Sequence, residues 1–351
     1  MKEGLLIYGC NGYTGKLISE HAVSLGMKPI LAGRDREKVS QLANALKLDY
    51  KVFDLDDEKT VADNIKDFKI VLHCAGPFKY TARIMALACI SAGTHYLDIT
   101  GEYYVFEEIY KMDEAAKKAG VVLMPGVGFD VVPTDCLSLY LKEQLPDATS
   151  LELALYMKNG MLSHGTAITV AENLGESCIL RRDGKLVKTP NGQLTRDIDI
   201  DGKRRTGVAI SWGDVSSAFR TTGIKNITVF NVLPAKLIQS MKMSNYLGFF
   251  FRMGFVKNYL IKKIKQRPAG PDETKRKNAQ SIVWGEAKNS NGNTKSVLLE
   301  LPEGYTLTAW TAVKIAQQML QQSPPSGART PASVFGSSFI LGFEGVKRSQ
   351  L

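Results

Sequence analysis

The sequence predicts an α/β protein: a doubly wound parallel sheet in the first third, with a second, inserted α+β domain carrying a mostly antiparallel sheet. Three observations predict it. Short apolar runs alternate with helical periodicity over roughly residues 1–130, as parallel strands joined by crossover helices require. The first of these runs ends in a loop with three glycines that opens directly into a helical pattern. After Pro133 the pattern changes to alternating strands with an Asn-Gly hairpin signal.

The elements follow in order. Residues 5–8 form a first apolar strand, and Leu17, Ile18, Ala22 and Leu25 mark the helix behind the glycine loop, stopped by Gly26. Residues 29–32 read as the second strand. Asp35 is placed to cap a helix carrying Val39, Leu42 and Leu46. Residues 50–53, 70–74, 96–99 and 121–124 supply four more strands, with helices over 81–92 and 103–118 between the last three. Beyond Pro133, residues 150–157 alternate as a strand and 166–180 read as helical. Residues 207–212 and 226–233 are strand-like, and an apolar, basic segment runs from 235 to 267. Residues 281–287 and 296–301 flank Asn291-Gly292 as a hairpin, and 309–320 return to helical spacing. The expected division is 1–132, 133–302 and 303–351, the last returning to the first domain.

Bulk composition narrows the class. The 351 residues are 44% hydrophobic and 23% charged, enough for full cores, and 45 Lys and Arg against 35 Asp and Glu give +10. Cysteines 10, 74, 89, 136 and 178 are odd in number and include no C-x-x-C pair, so a reducing compartment is expected rather than a disulfide framework or thiolate zinc site. The opening Met-Lys-Glu-Gly runs straight into the first strand, and no apolar run approaches the roughly 20 residues of a membrane span. A cytoplasmic protein is expected.

The glycine loop carries the first chemistry. In Gly9-Cys10-Asn11-Gly12-Tyr13-Thr14-Gly15, Gly9 would make the tight turn and Gly12 would admit a pyrophosphate to the backbone. Gly15 would let helix and strand pack closely. The phosphates would sit on the helix N-terminus, whose dipole favours anions. This is a dinucleotide-binding loop of Rossmann type. An NAD site usually ends the second strand in Asp or Glu, but here it ends Ala32-Gly33-Arg34. Arg34 is suited to a 2′-phosphate, so NADP(H) is expected in preference to NAD(H), a solvated surface arginine being the alternative. Asp54, after the third strand, is placed to meet an adenine, or is an ordinary loop residue. Ala75, Gly76 and Pro77, after the fourth strand, lie where ligands gather in such sheets.

Taken together, Gly9-Cys-Asn-Gly-Tyr-Thr-Gly15, Cys74-Ala-Gly-Pro-Phe78, Tyr96-Leu-Asp-Ile-Thr-Gly-Glu102 and Pro125-Gly-Val-Gly-Phe-Asp130 resemble the saccharopine dehydrogenase-like oxidoreductases. Ser163-His-Gly-Thr166, Gly304-Tyr-Thr-Leu-Thr-Ala309 and Thr330-Pro-Ala332 extend the resemblance through most of the chain. It implies an NAD(P)-binding domain completed by C-terminal elements, with an inserted α/β domain over the crevice. The branch it suggests is similar to the trans-acting enoyl reductases, and it does not specify the reaction.

No residue stands out as the catalyst. His21 lies within the first helix, His73 within an apolar strand and His95 just before the fifth, all positions that suit structural histidines; His164 sits in a turn of the second domain. Asp98, Glu102 and Asp130 follow the fifth and sixth strands, where a nicotinamide would lie, and Glu102 and Asp130 are the catalytic candidates, with capping as their alternative. Cys74 and Cys136 have no identifiable base, and Tyr259 with Lys263 is a chance match to a Tyr-x-x-x-Lys pair. Metal-ligand spacing is absent.

The charge excess is local. Between 252 and 277 lie nine Lys or Arg against Asp272 and Glu273, a net +7 of the chain's +10, beside an aromatic run from Tyr246. Residues 246–267 could meet an anionic membrane periphery or roof a long acyl substrate; a core helix with a basic margin, or a homodimer interface, is the alternative. No nucleic-acid reader motif accompanies the charge. The sequence therefore reads as an NADP(H)-dependent oxidoreductase acting on a C=C, C=N or C=O bond of an unidentified, lipid-like small molecule. The alternative is a non-catalytic NADP(H)-binding sensor or scaffold.

Overall fold

The computed structural model describes residues 2, 4–173, 175–200, 202–246 and 253–351. These form two compact units, Met1–Val132 with Gly304–Gly336, and Pro133–Glu303 with Ser337–Leu351.

The first unit begins β1 (Leu5–Tyr8), α1 (Tyr13–Ser24), β2 (Ile30–Gly33), α2 (Arg36–Leu46), β3 (Tyr50–Val52) and α3 (Glu58–Ile65). It continues β4 (Ile70–His73), α4 (Phe78–Ala92), β5 (His95–Asp98), α5 (Tyr103–Lys111), α6 (Asp113–Ala119) and β6 (Val122–Met124). Aspartates start two of the crossover helices: Asp35 accepts from Lys38 N at 3.1 Å and Asp57 from Thr60 N at 2.9 Å. The helix expected over 103–118 is two. Met112 leaves helical geometry (φ −88°, ψ 5°), and Asp113 starts α6 with its carboxylate accepting from the distant Ala328 N at 2.8 Å.

The second unit runs α7 (Val132–Gln144), β7 (Ala148–Lys158), α8 (His164–Glu172), β8 (Cys178–Arg182), β9 (Lys185–Thr189), β10 (Thr195–Ile200) and β11 (Lys203–Ala209). Then come α9 (Asp214–Thr222), β12 (Asn226–Val232), α10 (Ala235–Ser244), α11 (Gly254–Lys265), α12 (Glu273–Lys277), β13 (Gln280–Asn289) and β14 (Thr294–Leu301). The chain returns to the first unit with α13 (Gly304–Gln321), β15 (Gly327–Ala328) and α14 (Pro331–Phe335), and ends in the second with β16 (Lys347–Gln350). The sequence expectation that all of 303–351 joins the first domain is thus corrected. β16 pairs antiparallel with β14, and Arg348 lies 3.6 Å from the Tyr140 ring of α7. The helix expected over 166–180 also fails: α8 ends at Glu172, and β8 and β9 form a hairpin around Asp183-Gly184, both at positive φ (48° and 78°), the backbone a two-residue turn demands.

The sheet of the first unit is wholly parallel in the order β15-β6-β5-β4-β1-β2-β3. The direction of winding reverses between β1 and β4, the switch point outside which ligands bind in such sheets. Buried Leu6, Val71, Ala82, Met85 and Tyr96 belong to the core on one face. The sheet of the second unit is ordered β10-β11-β12-β7-β13-β14-β16, antiparallel except for β12 and β7. It curls enough for Arg196 on β10 to pair with Glu152 on β7 and Glu286 on β13. Among the described residues no helix is long and apolar enough to cross a membrane.

Candidate functional site

The glycine loop lies at the switch point. Gly9 follows β1 at φ +82°, where any side chain is strained, and a Cβ there would come within 2.7 Å of Ala75 N and 2.9 Å of Ala75 Cα. Two loops thus close on each other, the one after β1 and the one after β4. A Cβ on Gly15 would run into the Gly9 carbonyl oxygen, so this glycine sets the approach of α1 to β1. Gly12 differs. It is exposed, has ordinary extended dihedrals (φ −73°, ψ 161°), and its nearest neighbour to an added Cβ would be Gly9 O at 3.3 Å. The fold's demand for glycine is thus a tight contact with one backbone oxygen, weaker than at Gly9 or Gly15, and an approaching ligand is a further reason for one.

α1 begins at Tyr13 with no side-chain cap and no carboxylate in its first turn. The dipole of its N-terminus therefore favours an anion there. Asn11 is exposed, Tyr13 and Thr14 are half-buried, and Asn11 Oδ1 lies where a Cβ on Gly33 would come within 3.0 Å. Arg34, next to Gly33, is exposed and makes no ion pair with a carboxylate among the described residues. Asp35 is committed to α2, through its cap and an ion pair with Lys38 at 2.8 Å. Asp54 is exposed and accepts from Leu55 N at 2.8 Å. Its charge and that of Arg34 act in opposite senses on the buried Tyr8 hydroxyl, whose pKa burial raises and which donates to Phe53 O at 3.0 Å. The residue set fits a dinucleotide bearing a further phosphate on its adenosine side.

The three carboxylates beyond β5 and β6 have different surroundings. Asp98 is fully buried, accepting from Tyr96 Oη at 2.6 Å, Thr100 N at 2.9 Å and Gly126 N at 2.8 Å; burial raises its pKa to about 6. It ties the loop after β5 to the loop after β6. Glu102 accepts from Phe78 N at 3.2 Å and Lys79 N at 2.9 Å, the first turn of α4, and from Tyr104 Oη at 2.6 Å. Both its oxygens therefore cap a helix remote in sequence. Asp130 is partly exposed and packs against Gly101, where an added Cβ would meet its Oδ2 at 2.8 Å. Burial of its carboxyl, and next the negative charge of Glu102, raise its pKa to about 7. Of the two sequence candidates, Asp130 has the proton affinity of an acid–base group near neutrality.

The histidines are held. His73 faces Thr81 Oγ1 at 2.9 Å among the rings of Tyr8, Phe78 and Tyr96, and burial lowers its pKa to about 3. His95 accepts from Val122 N at 3.1 Å, faces Ser323 Oγ at 3.0 Å, and is lowered to about 4, chiefly by burial. His21 lies on α1 with its ring 6.4 Å from that of Trp310. His164 Nε2 lies 2.7 Å from Arg267 O, within the second unit. Burial raises the Cys74 and Cys136 thiols, so neither is an activated thiolate. Among the described residues no cluster could hold a metal ion.

Sequence reasoning expected C-terminal elements to complete the first domain but named no contact that α13 makes there. Tyr305 lies edge-on to Tyr13, ring centroids 5.1 Å apart. Thr308 accepts from Phe129 N at 3.0 Å, and Gly128 leaves room for the Thr308 methyl, 2.8 Å from where its Cβ would stand. The paired small residues of the 125–130 and 304–309 motifs were the available signal.

A family model described as the saccharopine dehydrogenase NADP binding domain matches residues 5–124. This stretch is similar to a saccharopine dehydrogenase NADP-binding domain, and the match supports NADP(H) as its cofactor. A saccharopine dehydrogenase-like oxidoreductase of Mus musculus is 28% identical over 203 residues, 51% of this chain and 47% of the relative. A lipid droplet localized protein of Caenorhabditis elegans is 26% identical over 156 residues, 40% and 36% of the two chains. A trans-acting enoyl reductase of Mycobacterium bovis is 29% identical over 144 residues, 39% and 34%. Each alignment covers less than half of the relative's length. Apo saccharopine dehydrogenase (L-Glu forming) from Saccharomyces cerevisiae shares the fold, with a TM-score of 0.67 over 99% of this chain and 100% of that one, at 12% identity.

Proposed function

We propose that the protein is an NADP(H)-dependent oxidoreductase that transfers hydride to or from a C=C, C=N or C=O bond of a lipid-like small molecule. The observation that carries the reading is the pairing of an uncapped helix N-terminus at the sheet's switch point with an unpaired Arg34 at the end of β2. On this reading Gly9, Asn11, Gly12, Tyr13, Thr14 and Gly15 hold the pyrophosphate, and Arg34 selects the 2′-phosphate. Asp54 borders the adenosine, while Ala75, Gly76 and Pro77 line the path beyond the switch point. NADP(H), when bound, supplies or accepts the hydride.

Asp130 moves the accompanying proton; Glu102 does not, because capping α4 occupies both its oxygens. The lipid-like substrate is supported by the names of two relatives, an enoyl reductase and a lipid droplet protein. Fluorescence titration with NADPH and NADH tests the cofactor site. Charge-assisted hydrogen bonds worth about 1.5–3 kcal/mol make Arg34→Ala weaken NADPH roughly 10- to 150-fold, with NADH little changed. Equal losses for the two would sink the assignment of Arg34. NADPH oxidation tested against enoyl, imine and carbonyl lipids addresses the reaction, and a protein that binds NADPH but oxidises it with none is a sensor instead.

A further inference from the structure

The second unit exposes aromatic side chains where a folded core would hide them. α11 buries none of its residues, and Phe255 and Tyr259, one turn apart, are 62% and 61% exposed. The half-buried positions of the same helix, Val256, Leu260, Ile261 and Ile264, take its other side. That side is fixed within the unit: Lys257 Nζ donates to Glu172 O of α8 at 2.7 Å, and the segment after α11 is held by His164 N to Ala269 O at 2.8 Å. The outward face is thus presented by an anchored helix. At the end of α10, Met243 and Tyr246 are 56% and 91% exposed. The sequence expectation for 246–267 falls partly on residues 247–252, which lie outside those described.

Charge accompanies the aromatics. Residues 235–246 and 253–267 contain seven Lys or Arg and no Asp or Glu. The structure also sharpens the +7 of residues 252–277. On α12, Lys275 and Lys277 are paired with Asp272 at 3.4 Å and Glu273 at 2.7 Å, so four of the seven cations left over, Lys257, Lys262, Lys263 and Lys265, lie on α11. Lys262 and Lys263 stand one turn beyond Tyr259, and Lys263 Nζ is 5.8 Å from the Tyr259 ring. An aromatic pair bordered by long basic side chains suits a phospholipid interface, with rings at headgroup depth and ammonium groups against lipid phosphates. A protein partner would have to be acidic as well as apolar, whereas an anionic lipid surface supplies both properties together.

We propose that the outward face of α11, centred on Phe255, Tyr259, Lys262 and Lys263, docks the protein on an anionic lipid surface. All four residues belong to the second unit, and none is among those assigned to the cofactor. The test is flotation of the full chain with phosphatidylcholine vesicles, with and without phosphatidylserine, at low and high salt. Phosphatidylserine-dependent flotation that salt weakens is expected. At about 1 kcal/mol for each lysine near such a surface, the Lys262→Gln/Lys263→Gln variant should lose roughly 30-fold in partitioning. Phe255→Ala/Tyr259→Ala should lose binding at both salt concentrations, and both variants should keep the wild-type circular dichroism and NADPH affinity. Flotation that ignores phosphatidylserine, or its absence in wild-type protein that still binds NADPH, overturns docking and leaves the redox reading intact. A change of oligomeric state in the variants by light scattering, with flotation unaltered, would assign the face to a second copy of the chain and equally overturn it.

Discussion

Replacing Glu102 by Gln separates a capping carboxylate from a catalytic one. Glu102 is 6% exposed and presents two oxygens to Phe78 N and Lys79 N, with Tyr104 Oη on one of them. Glutamine keeps one acceptor oxygen and turns an NH2 group, a donor, towards a backbone donor. The substitution loses one hydrogen bond to a charged group and leaves a buried N–H unmet, together about 3 kcal/mol. For a unit of this size that corresponds to a fall of roughly 6–12 °C in Tm. The negative charge beside Asp130 disappears as well, so the Asp130 pKa moves down from about 7. The expected variant is thus less stable in thermal and urea unfolding, active below its Tm, and shifted to lower pH in the limb of its rate profile that Asp130 sets. A protein of unchanged stability that is inactive at every pH would refute the reasoning and make Glu102 the acid.

Gly9 and Gly12 should respond oppositely. Gly9→Ala meets the backbone of Ala75 at a positive φ and should cost the fold more than about 2 kcal/mol, whereas Gly12→Ala should leave urea midpoints unchanged and weaken NADPH in titrations at least about tenfold. Asp130 binds a proton more tightly folded than unfolded. Its contribution to stability is therefore fully present below the ordinary carboxylate pKa near 4 and lost as pH rises through about 7. Asp130→Asn should flatten that part of the stability curve and abolish turnover while NADPH still binds, and an unaltered pH–rate profile would remove Asp130 from the chemistry.

Local signals made the first sheet legible. Leu5 to Tyr8, the three glycines and the Asp35 cap are each interpretable within a few residues, and the alternation of strand and helix makes the sheet parallel. The second unit was harder because its pairings are long-range. Even so, Asp183-Gly184 was a hairpin signal in plain view, and the helical reading of 166–180 overrode it by apolar content alone. At the candidate site the loop glycines and Arg34 were readable from position. What distinguishes Glu102 from Asp130 was not, since it depends on the N-terminus of α4 reaching the Glu102 carboxylate and on the burial of the Asp130 carboxyl beside the Glu102 charge. That proximity arises only when β4, β5 and β6 stand side by side.

The edge strand β15 and helix α13 belong to the first unit but are encoded after residue 303. A growing chain that has completed residues 1–132 has all six of the unit's first strands, yet lacks the helix that packs on α1, the threonine that receives Phe129 N and the strand that Asp113 holds. The nucleotide-binding unit must therefore wait, during synthesis, for residues 133–303, most of the second unit, to be translated. The early segment is an open half-structure with an unpaired β6 edge, the kind of intermediate on which chaperones act.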